Sequence, residues 1–147
     1  MSTFFKDLEA ANTGTRVPLT DFIAELPFNQ DGLLPVIAQQ YDTKEVLMMA
    51  WVNAEALRIT LESQVAVYWS RSRNALWRKG ESSGQTQTLK SVRFDCDGDT
   101  LLYSVDQTGP ACHTGRRDCF YYVVEGDSVA IDKSVLVDPK TLYNKSL

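Results

Sequence analysis

Three cysteines, the only histidine and three closely spaced aspartates lie in one short stretch of this 147-residue chain. One motif reads Asp-Cys-Asp-Gly-Asp over residues 95–99, and a second, within residues 111–120, contains Cys112, His113 and Cys119. Thiolates are good zinc ligands, whereas clustered carboxylates bind magnesium or calcium. The composition of this stretch therefore indicates a metal site, and its two kinds of ligand indicate two ions.

The first predicted ion is zinc, held by Cys96, Cys112 and Cys119. Three thiolates leave one tetrahedral position for a water molecule, which is the arrangement of catalytic zinc sites. His113 could fill that position, but it adjoins Cys112, and neighbouring residues rarely reach the same ion. The spacing differs from that of common zinc fingers, so three buried structural cysteines are the alternative interpretation.

The second predicted ion is a hard cation, magnesium or calcium, held by Asp95, Asp97 and Asp99. In an extended strand, residues with a period of two share one face, and Cys96 would then lie on the other face. The Asp97-Gly98 pair also predicts a two-residue hairpin turn. The motif lacks the ligand spacing of an EF-hand. The alternative is an acidic hairpin tip that faces solvent.

Residues 70–87 are polar and contain glycine, which is typical of a long functional loop. Guanidinium and backbone N–H groups in such a loop can bind phosphate, although a solvated charged loop is the alternative. For proton transfer His113 is the first candidate, because an imidazole titrates near neutrality, and Glu81 is the second. The candidate substrate-binding residues are Arg71, Arg73, Trp77, Lys79, Ser83 and Arg116.

Hydrophobic periodicity and turn residues predict the elements that must position these side chains. We predict an α+β fold: one β-dominated, barrel-like domain with a largely antiparallel sheet and one or two short helices. Asn53 is expected to cap the principal helix. The predicted strands are 33–41, 45–51, 65–69, 88–94, 101–105, 120–124 and 128–131. The principal predicted helix is 54–63, and further short helices could cover 21–26 and open at 138–139.

Length, composition and charge exclude several classes of protein. No apolar run approaches the roughly 20 residues of a membrane span, and the first residues do not resemble a secretory signal. A net charge of −4 argues against a nucleic-acid partner. We therefore expect a cytoplasmic protein with neither membrane nor nucleic-acid partners, and metal binding in preference to disulfides.

Several motifs together resemble those of the phosphoribosyl-AMP cyclohydrolases of histidine biosynthesis. The resemblance covers roughly residues 28–122 and divides the chain into a peripheral N-terminal extension, 1–27, a cyclohydrolase domain, 28–124, and a C-terminal extension, 125–147. The motifs that carry it are Gly-Leu-Leu-Pro at 32–35, Ser-Arg-Ser-Arg at 70–73, Trp-Arg-Lys-Gly-Glu-Ser-Ser-Gly at 77–84, and the two metal-ligand motifs at 95–99 and 111–120.

The resemblance implies a metal-dependent hydrolase that opens the adenine ring of 1-(5-phosphoribosyl)-AMP between N1 and C6. The implied product is the phosphoribosyl-formimino-aminoimidazole carboxamide ribonucleotide. The family also implies one zinc per subunit on the three cysteines and magnesium on the three aspartates. It implies a homodimer with shared sites, in which Cys96 of one chain meets Cys112 and Cys119 of the other.

Two residues depart from the family pattern. Gln85 stands where many relatives have histidine, and Asp118 stands where serine is usual, which adds a negative charge beside Cys119. Two other classes of protein are alternatives: a small zinc-stabilised nucleic-acid-binding module that uses the basic loop and Trp77, and a thiol redox protein. The net charge argues against the first, and the absence of a Cys-x-x-Cys motif argues against the second.

Overall fold

The computed structural model describes residues 2–143 as a curled sheet, a half-barrel, with short helices at its margins. Six strands form the sheet in the order β4-β3-β2-β1-β6-β5, and the last two strands form a separate hairpin. The elements are α1 (Phe4–Leu8), α2 (Leu19–Ala24), β1 (Leu34–Gln40), β2 (Val46–Val52), α3 (Ala54–Ser63), β3 (Val67–Ser70), β4 (Ala75–Arg78), β5 (Gln87–Phe94), β6 (Leu101–Gln107), β7 (Tyr122–Glu125), β8 (Ser128–Ile131) and α4 (Pro139–Tyr143).

The sheet is mixed, so the prediction of a largely antiparallel sheet is wrong in this respect. β1 and β2 form an antiparallel hairpin, with Leu34 opposite Val52. On its other side β1 pairs with β6 in parallel, with Val36 opposite Leu101. Parallel neighbours need a long crossover connection, and here the chain between them contains α3 and four strands. Turn residues indicate only local hairpins, which is why this pairing could not be predicted.

The sheet is curled, so that the segment leading into β3 approaches the edge strand β5. Val65, just before β3, forms an antiparallel bridge with Thr88 of β5. The backbone N–H of Ala66 donates to the Gln87 carbonyl at 3.0 Å. These bonds join strands that lie four places apart in the sheet, and they confirm the barrel-like character that the sequence predicts.

The hydrophobic core lies inside the curl. Alternate residues of β6, namely Leu101, Tyr103 and Val105, are fully buried, as expected for a strand with one inward face. Leu57 of α3 joins the same core. The predicted cap of this helix is confirmed, because Asn53 Oδ1 accepts a hydrogen bond from the Ala56 N–H at 2.8 Å. Each fully buried aliphatic side chain here contributes about 1.5–3 kcal/mol of hydrophobic stabilisation.

The N-terminal residues pack on the sheet through aromatic rings. Phe5 of α1, a helix that the sequence does not predict, lies edge-to-face against Phe22 of α2, with centroids 5.3 Å apart. Phe22 in turn contacts Phe94 at the end of β5. The Phe5 ring also covers Gly98, where any Cβ would overlap it. The domain boundaries proposed from the sequence stay predictions.

Residues 70–87 do not form a continuous loop, because they include β4. This strand pairs antiparallel with β3 and places Trp77 opposite Tyr68, with ring centroids 5.5 Å apart. Four residues among polar neighbours are too few for a periodic signal, so the strand was not predictable. Among residues 2–143, no helix combines the length and apolar character that crossing a bilayer requires.

Candidate active site

A cleft of about 210 Å³ brings together four of the residues predicted for catalysis, binding or metal ligation. Trp77 and Lys79 enter it from the end of β4, and His113 and Cys119 enter it from the loop that follows β6. The antiparallel pairing of β4 with β3 and of β3 with β2 carries these distant segments to one place. The remaining lining residues are Met48, Met49 and Ala111.

Two of the three predicted zinc ligands lie beside each other at this cleft. Cys112 is buried, and its thiol lies close enough to Cys119 to affect the pKa of that thiol. Although Cys119 keeps some exposed surface, the protein around it hinders hydration of a thiolate and raises its pKa to about 12, and the charge of Cys112 adds to this effect. A cation removes that penalty, since metal-bound thiols ionise readily. The pair therefore fits a soft cation.

Lys79 supplies a positive charge to the two thiols. Its ammonium is buried and donates a hydrogen bond to the Ala111 carbonyl at 2.8 Å. Burial lowers the pKa of Lys79, while the nearby Cys119 and Cys112 act in the opposite direction. Its Nζ lies 5.7 Å from the centroid of the Trp77 ring. An ammonium has three N–H donors, so two remain for a ligand in the cleft.

The third predicted zinc ligand, Cys96, lies elsewhere in the fold. Cys96 precedes β6, and Cys112 follows it. A strand of this length, seven residues, spans roughly 20 Å at about 3.3 Å per residue. Among residues 2–143, the only close group of three metal-ligating side chains is that of the aspartates. One chain therefore brings two of the three thiols to the cleft, and a zinc ion held there by all three cysteines would need Cys96 from another chain.

The three aspartates do converge, as predicted, and they fit a hard cation. Their carboxylate oxygens lie within 4.8 Å of one another, and such oxygens are the ligands that magnesium prefers. The predicted mechanism of convergence is wrong, however, because β5 ends at Phe94 and residues 95–100 form a turn instead of an extended strand. Asp95 closes this turn, since its Oδ1 accepts the Asp99 N–H at 3.0 Å. The turn is also longer than the two-residue connection expected from Asp97-Gly98.

The electrostatics of the aspartate turn also favour a cation. Hydrogen bonding with the Asp95 and Asp97 carboxyl groups raises the pKa of Asp99 to about 6, and the like charges of both add to this. For Asp95, burial acts to raise the pKa, but hydrogen bonds from the Asp99 side chain and the Thr100 backbone outweigh it, so the pKa is lowered. Three carboxylates this close repel one another at neutral pH, and a divalent cation would relieve that repulsion.

A second cleft, of about 250 Å³, adjoins the first. The two clefts lie side by side and share Trp77 and Lys79 in their lining, and together they are called the depression below. The second cleft is lined by two more of the predicted substrate-binding residues, Arg73 and Ser83. The depression thus has a thiol-bearing end and a basic, hydroxyl-bearing end.

Three other predicted residues lie outside this depression. The Arg71 guanidinium is stacked 4.7 Å from the Trp51 ring centroid and lines a separate cleft. The Arg116 guanidinium lies 4.1 Å over the Tyr121 ring. Glu81 is exposed and lines neither part of the depression. Roles for these three side chains in binding or proton transfer stay predictions.

The structure accounts for the unusual Asp118. Its carboxylate is almost fully buried and lies 2.8 Å from Lys133 Nζ, in the segment after β8. It also accepts the Phe120 N–H at 2.8 Å. The hydrogen bond with Asp118 raises the pKa of Lys133. The extra negative charge beside Cys119 is therefore paired by a residue outside the motif.

Gln85, the other departure, packs against the loop that leads to Cys112. It is buried, its Nε2 donates to the Ser83 carbonyl at 3.2 Å, and its Oε1 lies where a Cβ on Gly109 would be. Gly109 also has a φ of 65°, which disfavours other residues. Gln85 therefore contributes to loop packing.

We expect Gly109→Ala to lower the free energy of unfolding by about 2–4 kcal/mol, because backbone strain and overlap with Gln85 add together. Gly126→Ala is the matched control: Gly126 has a φ of 62°, but a Cβ added there would meet no atom within 4 Å. Urea unfolding should show a larger loss of unfolding free energy for Gly109→Ala than for Gly126→Ala. Adding Gln85→Ala to Gly109→Ala should restore part of that free energy. Equal losses at both glycines would show that the contact with Gln85 contributes nothing.

Comparisons with known proteins agree with these features. A protein-family model described as phosphoribosyl-AMP cyclohydrolase matches residues 48–121. Relatives named phosphoribosyl-AMP cyclohydrolase include one from Alkalilimnicola ehrlichii, 60% identical over 96% of this chain and 99% of its own length. Another from Alcanivorax borkumensis is 57% identical over the same shares. A third, from Chromohalobacter salexigens, is 54% identical over 99% of both chains.

These matches show that the chain is an enzyme, a cyclohydrolase, as the sequence predicts. The matched segment runs from β2 to the loop after Cys119, so it contains every residue that lines the depression. The chain belongs to the phosphoribosyl-AMP cyclohydrolase family.

Proposed function

We propose that this protein hydrolyses 1-(5-phosphoribosyl)-AMP at the N1–C6 bond of its adenine ring, as a metal-dependent step of histidine biosynthesis. The main support for this proposal is that Lys79, His113 and Cys119 line one cleft. All three residues lie within the segment that matches the family. In the reaction, the oxygen of water becomes the carboxamide oxygen on C6, and a proton reaches N1 as the C6–N1 bond breaks. The product is the ring-opened phosphoribosyl-formimino-aminoimidazole carboxamide ribonucleotide.

The thiol-bearing end of the depression is the place for the chemical step. Cys112 and Cys119 would hold zinc, which when bound supplies a water of lowered pKa. Lys79 balances the charge of the two thiolates and keeps the Ala111 carbonyl in place. Trp77 offers an aromatic surface beside these groups for the purine.

His113 is the proposed proton-transfer group, because a nitrogen of its imidazole can take a proton from the attacking water and deliver it to N1. We expect His113→Ala to lower kcat about 100-fold or more while the zinc content stays near that of the wild type. Steady-state kinetics and elemental analysis of the same preparation measure both quantities. Parallel loss of zinc and activity would assign His113 a structural or ligand role instead.

The other end of the depression would bind a substrate phosphate. Arg73, Ser83 and Lys79 present a guanidinium, a hydroxyl and an ammonium there, which suit a phosphate dianion. Magnesium on the aspartate turn would neutralise further charge of the substrate or brace the turn. Arg71 and Arg116, which lie outside the depression, stay proposed as substrate-binding residues.

The proposed enzyme is a homodimer in which Cys96 of one chain completes the zinc site of the other. The opposite placement of Cys96 and Cys112 along β6 supports this arrangement. A second support is the hairpin β7–β8, which is marginal by itself in water and has one wholly apolar, exposed face. That face consists of Tyr122, Val124, Val129 and Ile131, each between 59% and 74% exposed in the single chain.

The proposal is tested by following ring opening of phosphoribosyl-AMP through its ultraviolet absorbance. Purified protein should lose activity after dialysis against a zinc chelator and regain it when zinc is returned. A full rate after complete removal of zinc would refute metal dependence. No turnover by zinc-loaded protein would refute the proposed reaction.

A further inference from the structure

We propose that Gln107 and Arg117 are positioning residues that fix the loop carrying Cys112 by binding its carbonyl oxygens. Neither residue stands out in the sequence, since Gln107 ends a strand and Arg117 is one of two adjacent arginines. The inference rests on the proposed function to the extent that it treats Cys112 as a metal ligand. It adds a reason why this ligand is held rigidly although it lies on a loop.

Five consecutive carbonyl oxygens, those of residues 107–111, each accept a hydrogen bond from a side chain. Three side chains make these bonds: one amide, one guanidinium and one ammonium. The bonds run from Gln107 Nε2 to Thr108 O (2.9 Å) and Pro110 O (3.4 Å), from Arg117 Nη1 to Gln107 O (3.1 Å) and Gly109 O (2.7 Å), and from Lys79 Nζ to Ala111 O (2.8 Å).

The Gln107 side chain is itself held by a buried chain of hydrogen bonds. Its Oε1 accepts from Gln87 Nε2 at 2.8 Å, and Gln87 Oε1 accepts from the Tyr68 hydroxyl at 2.6 Å. Its backbone N–H donates to Gln40 Oε1 at 2.9 Å. All four side chains belong to buried residues of the half-barrel. The amide of Gln107 is therefore oriented by the core, and its N–H groups face the loop carbonyls and also the Gln85 carbonyl, at 3.1 Å.

Arg117 connects the same loop to a different part of the sheet. Its Nε donates to Glu45 Oε1 at 3.0 Å, next to the start of β2. Its backbone carbonyl accepts the Ala111 N–H at 2.9 Å, so Arg117 also closes the short loop that contains Cys112. The Arg117 side chain thus connects Glu45 to the carbonyls of Gln107 and Gly109, at the beginning of the loop.

These hydrogen bonds suit a loop that must hold a metal ligand, here Cys112, in a fixed position. Coordination bonds tolerate displacements of only about 0.5 Å, and a loop without regular structure cannot provide that precision by its backbone alone. Pro110 makes side-chain hydrogen bonds to this loop more important, since proline has no backbone N–H to donate. Hydrogen bonds from charged donors are the stronger ones, and two of the three donors here are cationic.

The test uses the purified protein loaded with cobalt(II) in place of zinc, and the variants Arg117→Met and Gln107→Met. We expect cobalt and zinc to bind about 10- to 100-fold more weakly than in the wild type, with a changed thiolate-to-cobalt absorption band and a lower kcat at nearly unchanged KM. Arg58→Met is the matched control, because Arg58 also contacts a glutamate, Glu62 at 3.0 Å, but on the exposed face of α3. It should bind cobalt as the wild type does.

Arg117→Lys provides a second variant if Arg117→Met does not fold, since it keeps the charge but cannot reach Glu45 and both carbonyls together. It should show an intermediate loss of cobalt affinity. A wild-type cobalt spectrum and affinity in the folded variants, with only thermal stability reduced, would overturn the proposal. The spectrum is recorded without substrate, so failure of the ring-opening assay alone would refute the proposed reaction and leave the positioning role standing.

Discussion

Cys112→Ser should lose its zinc and open the ring of phosphoribosyl-AMP at least about 1,000-fold more slowly than the wild type, because metal ions contribute several kcal/mol to such reactions. Cys112 is buried beside Cys119, and serine has nearly the same volume, so the fold should persist. A hydroxyl is a poor zinc ligand compared with a thiolate. Elemental analysis and the ultraviolet assay on one preparation measure the two effects.

Thr114→Val is the control for this substitution. The Thr114 hydroxyl donates to the Cys112 sulfur at 3.2 Å, so the variant removes a partner of the ligand but not the ligand itself. The activity of Thr114→Val should fall only about tenfold, as is usual when a group that supports a metal ligand is removed. Stoichiometric zinc and full activity in Cys112→Ser would remove Cys112 from the metal site.

Mixing two inactive variants should restore activity if the zinc site is shared between chains. In the proposed homodimer, Cys96→Ser and Cys112→Ser would each damage both zinc sites. In a heterodimer, Cys96 from the second variant meets intact Cys112 and Cys119 from the first. Random exchange of subunits makes half of the dimers heterodimers with one intact site of two, so about a quarter of wild-type activity is expected.

The mixture must be compared with each variant alone and with variants that have been unfolded and refolded together. Native mass spectrometry can establish that heterodimers have formed. A mixture of verified heterodimers as inactive as its components would show that each zinc site is built within one chain. That result would contradict the dimer proposal without affecting the assignment of Cys112 and Cys119.

Several elements were predictable because their signals are local. Asn53 followed by an amphipathic decapeptide predicts α3, and the structure has that helix and that cap. Alternation predicts the strand 88–94, and the turn after it predicts the returning strand 101–105, which the structure has as β5 and β6. The convergence of the three aspartates was also predicted, although a turn and not a strand face brings them together. In each case the residues concerned lie within a few positions of one another.

The rest depends on contacts between distant segments. The parallel pairing of β1 with β6 and the strand β4 are examples, since neither has a distinctive pattern in its own residues. The same applies to Lys79, which meets Ala111 across 32 positions of the chain. Gln107 and Arg117 look ordinary until their hydrogen bonds to the loop are seen.

By itself, the sequence determined which ligand chemistry this protein has: thiols and one imidazole beside a carboxylate cluster, in motifs that identify its family. Only the tertiary structure decided which of these groups meet. In the fold, Cys112, Cys119, His113 and Lys79 lie close together. Cys96 lies at the other end of β6. The physical reason is that residue types set the possible bonds, whereas strand pairing and long-range hydrogen bonds set the distances.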